Sequence, residues 1–160
     1  MKKVGLTLLL SLVAQSSMAT TVDEQAKSAG FTNCLETTKT LAEFLVKQNA
    51  HASHDFWNKD FVNERFFSSL IIKDYSDGDS HISLTVIPRG KQCDWSYTET
   101  YPVEKPCQIV REERLSEMKY GGSLNETTMA LNNEKDLYFY LTPSETGRTC
   151  LVTKREIFYQ

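Results

Sequence analysis

The chain has 160 residues, 40% of them hydrophobic, with 18 Lys and Arg against 21 Asp and Glu and a formal net charge of −3. One domain with a real hydrophobic core is expected at this length. The mild acidity argues against nucleic acid and anionic membrane surfaces as partners, since both favour Lys and Arg patches.

The first segment reads as an export signal. Lys2 and Lys3 form a short positive start, Val4 to Ala14 is mostly apolar, and Ser17-Met18-Ala19 places small residues where signal peptidase needs them. Cleavage is predicted after Ala19. The apolar run is too short to span a bilayer, and the first cysteine, Cys34, is too far away for a lipid anchor, so no stable membrane anchor is expected after cleavage. Removal of residues 1–19 takes away both of these lysines and leaves residues 20–160 as a single domain with a net charge of −5. The address is the periplasm or the exterior.

Thr20 and Thr21 before Val22-Asp23-Glu24 mark a helix start, with a hydroxyl cap and acids in the first turn. Gly30 interrupts that helix. Beyond it Phe31, Cys34, Thr38, Leu41 and Leu45 recur at steps of three and four, and Leu35, Ala42 and Phe44 widen the stripe, to an end near Asn49. His51 to Asp60 reads as a polar and aromatic connector. The period then changes to two. Phe66 to Tyr75 is a predicted strand, Asp77-Gly78 a hairpin turn, and His81 to Pro88 the returning strand, in which Ile82, Leu84 and Val86 alternate with polar residues. Arg89-Gly90 turns the chain again. Further strands are predicted at Cys93 to Tyr101, Gln108 to Leu115, weakly Thr127 to Leu131, Asp136 to Thr142, and Thr149 to Tyr159. No internal repeat or linker is apparent.

The predicted fold is α+β: one N-terminal amphipathic helix packed on an antiparallel meander sheet of about six or seven strands. The expected helix partners are Ile82, Leu84, Val86, Leu137, Phe139 and Leu141. The four cysteines in an exported domain predict two disulfides. Of three connectivities the favoured one is Cys93–Cys107, closing a proline-bearing loop, with Cys34–Cys150 tying the helix to the last strand.

Candidate chemistry is sparse. His51, His54 and Asp55, one helical turn apart, form a possible Zn²⁺ or Cu²⁺ set for a metal-binding protein or metal-dependent hydrolase, against the plain reading of a polar connector. Ser116 to Lys119 matches the SxxK pattern of serine acyl enzymes but lacks the companion motifs. Glu112, Glu113 and Glu117 interleave with Arg111 and Arg114 as a solvated face, and no cofactor is expected. The remaining feature is aromatic: Trp95, Tyr97, Tyr101, Tyr138 and Tyr140 alternate along two strands. Tyr138 and Tyr140 are predicted to point away from the helix-covered face, where tyrosines suit recognition as well as cross-strand packing.

In size, export signal and paired cysteines the chain resembles small periplasmic binding and inhibitor proteins, among them immunity proteins and lysozyme inhibitors. The resemblance is one of profile, and no functional residues are carried over. It implies a binding module, monomer or homodimer, that holds a protein partner in the cell envelope. An envelope assembly or structural accessory protein is the alternative, and the His51/His54/Asp55 metal protein the second.

Overall fold

The computed structural model describes residues 20–76 and 78–160. The predicted signal, residues 1–19, and Asp77 of the predicted turn lie outside the described residues.

The N-terminal helical stretch is two helices. In α1 (Thr21–Ala29) the Thr20 hydroxyl accepts from the Asp23 amide while Asp23 returns a bond to the Thr20 backbone, a reciprocal cap. Gly30 ends it at φ 79°, a left-handed conformation that glycine adopts without strain, and its N–H donates to the Ala26 and Lys27 carbonyls. Helix α2 (Leu35–Val46) follows, burying Thr38, Leu41, Ala42, Leu45 and Val46. Thr38, Leu41, Ala42 and Leu45 are as predicted, whereas Phe31 and Cys34 precede the helix and Phe44 is 51% exposed.

The strands are β1 (His51–Phe56), β2 (Phe67–Tyr75), β3 (Gly78–Arg89), β4 (Gln92–Val103), β5 (Lys119–Ser123), β6 (Met129–Asn132), β7 (Leu137–Pro143) and β8 (Cys150–Phe158), with α3 (Cys107–Arg114) between β4 and β5. They form one antiparallel sheet in the order β1-β2-β3-β4-β8-β7-β6-β5. The class α+β therefore stands, with three helices and eight strands among the described residues in place of one helix and six or seven strands. His51–Phe56 is an edge strand rather than a connector. Gln108 to Leu115 is helical rather than extended. The helix starts at Cys107, whose side chain and that of Val110, one step of three on, are buried, and Arg111 and Arg114 sit at the C-terminal end, where the dipole favours cations. Tyr75 pairs with Gly78, so the hairpin turns one residue earlier than Asp77-Gly78.

The order conceals a repetition that the sequence does not show. A helix followed by a four-strand meander occurs twice: α2 with β1–β4, then α3 with β5–β8. The two last strands, β4 and β8, pair along the centre, from Trp95↔Phe158 to Val103↔Cys150. Each half carries its own bridge from the start of its helix to the start of its fourth strand. These are Cys34–Cys93 and Cys107–Cys150, which corrects the expected pairs Cys93–Cys107 and Cys34–Cys150. Cys93 and Val103 stand at opposite ends of β4, which at about 3.3 Å per residue puts Cys93 roughly 30 Å from the chain leading into Cys107. A disulfide needs its Cα atoms within about 7 Å.

Opposed residues in an antiparallel ladder share a face, so the registers sort every side chain. All three helices contact the same face: α1 and α2 against β1, β2 and β3, and α3 against β7 and β8. Two apolar cores result. One joins Val22, Phe31, Leu41 and Leu45 to Phe67, Ile71, Ile82, Leu84 and Val86. The other joins Val110 and Leu115 to Leu131, Phe139, Leu141 and Val152. Of the expected partners of the N-terminal helix, Ile82, Leu84 and Val86 belong to its core. Leu137, Phe139 and Leu141 lie instead with the α3 core.

Between the cores the same face is polar. Lys73 lies 2.7 Å from Glu99, with side chains 2% and 10% exposed. The Lys73 ammonium also donates to the Leu45 carbonyl, and the Ser80 hydroxyl donates to Glu99. Across the centre the Tyr97 hydroxyl donates to Glu156 Oε2 at 2.8 Å, and Lys154 lies over the rings of Phe44 and Tyr97.

Candidate functional site

Among the described residues the opposite face carries no helix. It presents Phe56 and His54 from β1, Leu70 from β2, Ile87 from β3, and Tyr138 and Tyr140 from β7, over a centre of Ser83, Thr85, Thr98 and Thr153. A solvated face of an antiparallel sheet is ordinarily polar, and this central part is. One corner is not. Phe56 is 57% exposed, Phe66 55%, Leu70 43% and Ile87 40%. Phe56 and Phe66 line one cavity of about 280 Å³ with Trp57, Asn58 and Arg65. The His54 ring lies 4.5 Å from that of Phe56, and His54 is paired with Leu70.

The corner is held in place by the loop between β1 and β2. Asn58 Oδ1 accepts from the amides of Asp60 and Phe61. Asn63 Oδ1 accepts from the amides of Thr32 and Asn33, and Asn63 Nδ2 donates to the Gly30 carbonyl. The loop is thereby tied to the α1–α2 turn. Trp57 stacks on Phe67, which stacks on Phe31, so the exposed rings are backed by core. Large apolar side chains cost free energy in water, about 25 cal/mol per Å², and a rigid cluster of them is the usual mark of a contact surface.

The five predicted aromatics are divided between the faces. Tyr138 and Tyr140 point away from the helices, as the phase of β7 requires, and are half-buried. Trp95, Tyr97 and Tyr101 share the helix-bearing face. Tyr97 is buried, Trp95 stacks on Phe158, and Tyr101 lines a second cavity of about 230 Å³ with Tyr75 and Arg114. They do not form one site with Tyr138 and Tyr140. Strand β7 stands five places from β1, about 24 Å at the usual strand spacing.

The metal set is not assembled. On a strand, residues three apart point to opposite faces, so His54 is parted from His51 and Asp55. His51 Nε2 accepts from the Thr21 amide and its Nδ1 lies 3.1 Å from the Asn49 carbonyl, while Asp55 accepts from Ser53. Among the described residues no group of three His, Cys, Asp or Glu is placed to hold a metal ion. Ser116 lies outside any helix, and Lys119 opens β5 with an ion pair to Glu134. Glu113 pairs with Lys105 on the solvent side of α3. No described helix is long and apolar enough to cross a membrane.

The polar centre of the helix face shifts three ionisations. Burial, then the Glu156 hydrogen bond and the Glu156 and Glu99 charges, holds the Tyr97 phenol well above its ordinary 10.0. Burial and the Glu99 charge raise Tyr101, against Arg114. Burial lowers Lys154 below 10.5, against Glu99 and Glu156. A raised folded phenol contributes stability below the unfolded value and loses it as pH climbs past about 10. Lys154 acts with the opposite sign over the window just below 10.5, and above that window only the two raised phenols act. Stability is therefore expected to fall from about pH 10 upward, and Tyr97→Phe to flatten that fall, in denaturant titrations between about pH 9 and about pH 11.

Comparison with protein-family models, with curated proteins and with solved structures returns no match.

Proposed function

We propose that the chain is an exported binding protein that docks a protein partner on the uncovered face of its sheet, at the corner formed by Phe56, Phe66, Leu70 and Ile87. The observation that carries this is the exposure by more than half of two phenylalanines, Phe56 at the end of β1 and Phe66 just before β2, at the two ends of a loop anchored by the Asn58 and Asn63 bonds. Rigid aromatic anchors lose little conformational freedom on binding, and such residues dominate interface energetics. The two disulfides are compatible with an oxidising, exported location.

Capture of a stable partner from periplasmic extract tests the reading. Phe56→Ala with Phe66→Ala is expected to weaken that partner's affinity by at least about thirtyfold, as loss of a 2 kcal/mol anchor does. Tyr138→Ala with Tyr140→Ala, on the far side of the same face, measures whether the contact extends across the sheet. If neither pair alters capture, the uncovered face is not the docking surface.

A further inference from the structure

The corner described above adjoins an open strand edge, and the two edges of the sheet differ. At the β5 edge, Lys119, Gly121 and Gly122 accompany a register shift between Tyr120 and Gly122. Charge, glycine and bulges are the usual means of blocking strand addition. The β1 edge has fewer of them: His51 to Phe56 runs in unbroken register with β2, contains no Lys, Gly or Pro, and carries one acid, Asp55, which accepts from Ser53. The Asp74 amide donates to the Ala50 carbonyl, which fixes the phase of that ladder. Ala52, His54 and Phe56 turn their backbone groups to β2, so His51, Ser53 and Asp55 turn theirs outward.

We infer that β1 accepts an extended segment of the partner as an added antiparallel or parallel strand, with a bulky apolar side chain of that segment entering the Phe56–Trp57–Phe66 cavity. This deepens the proposed function and rests on its assignment of the corner. The outward amides and carbonyls supply affinity without regard to sequence, and the cavity supplies selection, the division of labour in strand addition. Arg65 lines the cavity and makes no ion pair among the described residues, which favours an acidic residue beside the apolar one.

A second copy of this chain fits less well. If two β1 strands pair about a twofold axis centred on Ser53 or on His54, Phe56 meets Ala50 or Ala52 of the second copy. Neither methyl group fills about 280 Å³.

The test uses the disulfide-bonded chain and synthetic peptides of about seven residues, a typical strand length. One carries a central Phe with a neighbouring Glu, and its control has Ala in place of Phe. The amides of His51, Ser53 and Asp55 are expected to gain protection from hydrogen exchange on adding the Phe peptide, and the Ala peptide to bind at least tenfold more weakly. Ser53→Pro removes an outward N–H without touching the β1–β2 ladder and is expected to abolish binding. Absence of protection at these three amides overturns the inference. So does protection that rises with protein concentration alone while the mass doubles, which identifies a second copy. If the partner captured from extract is still held by Ser53→Pro but lost with Phe56→Ala, the corner stands as the docking surface and strand addition falls.

Discussion

Removing either disulfide, by Cys34→Ala with Cys93→Ala or by Cys107→Ala with Cys150→Ala, is expected to lower the unfolding free energy by about 4 kcal/mol. The cysteine pairs are 59 and 43 residues apart, and in the chain-entropy model the cost of closing such loops varies only slowly with length. The size is comparable to a large part of the total stability of a small domain. Each loss should also be local. Hydrogen exchange should quicken in α2 and the start of β4 for the first variant, and in α3 and the start of β8 for the second. Denaturant unfolding at equal reductant-free conditions measures the size. Losses below about 1 kcal/mol for both variants would contradict the account. Non-reducing peptide mapping checks the pairing itself.

The second large effect concerns Lys73 and Glu99. Glu99→Ala leaves an ammonium that is 2% exposed without its counter-charge. The expected cost is about 3–5 kcal/mol, because a buried charge without its partner keeps its desolvation penalty and loses the attraction that offset it. Lys73→Met combined with Glu99→Met removes both charges. It should recover most of that loss, leaving about 1 kcal/mol for the hydroxyl of Ser80, which then lacks its acceptor. The comparison matters because the single and double variants separate a net stabilising pair from one that merely cannot be broken. If the single variant costs less than about 1 kcal/mol, water reaches the pair.

Local features were legible where one short stretch of chain determines them. The Thr20 cap and the Gly30 stop bound α1 as read, and the stripe from Leu35 to Leu45 lies in α2, while Phe31 precedes that helix and Phe44 is exposed. The alternation of Ile82, Leu84 and Val86 gave the correct inward face of β3, and that of Phe139 and Leu141 the correct inward face of β7. The failures have physical causes. β1 is six residues, HASHDF, with small and polar side chains alternating by exposure rather than by hydrophobicity, as an edge strand over a half-covered face allows. α3 buries so little that its helical step was lost among charges. The disulfides depend on how far β4 travels, which spacing along the chain does not reveal. The five candidate aromatics were not separable by face for the same reason. Trp95, Tyr97 and Tyr101 have the right alternation, but which side receives helices depends on long-range pairing. Phe56 was visible only as part of a connector and Phe66 only as the start of a strand until that side was known.

The bridges, finally, join consecutive cysteines. On a chain threaded out of the cytoplasm N-terminus first, Cys34 and Cys93 reach an oxidant before Cys107 and Cys150 do. The order of emergence is then the order of native pairing, and oxidation during translocation makes both bonds without a reshuffling step. An enclosing arrangement such as Cys34–Cys150 around Cys93–Cys107 would have required the first thiol to wait for the last. On the proposed export route, a maturation machinery that only donates disulfides would be sufficient for this pairing.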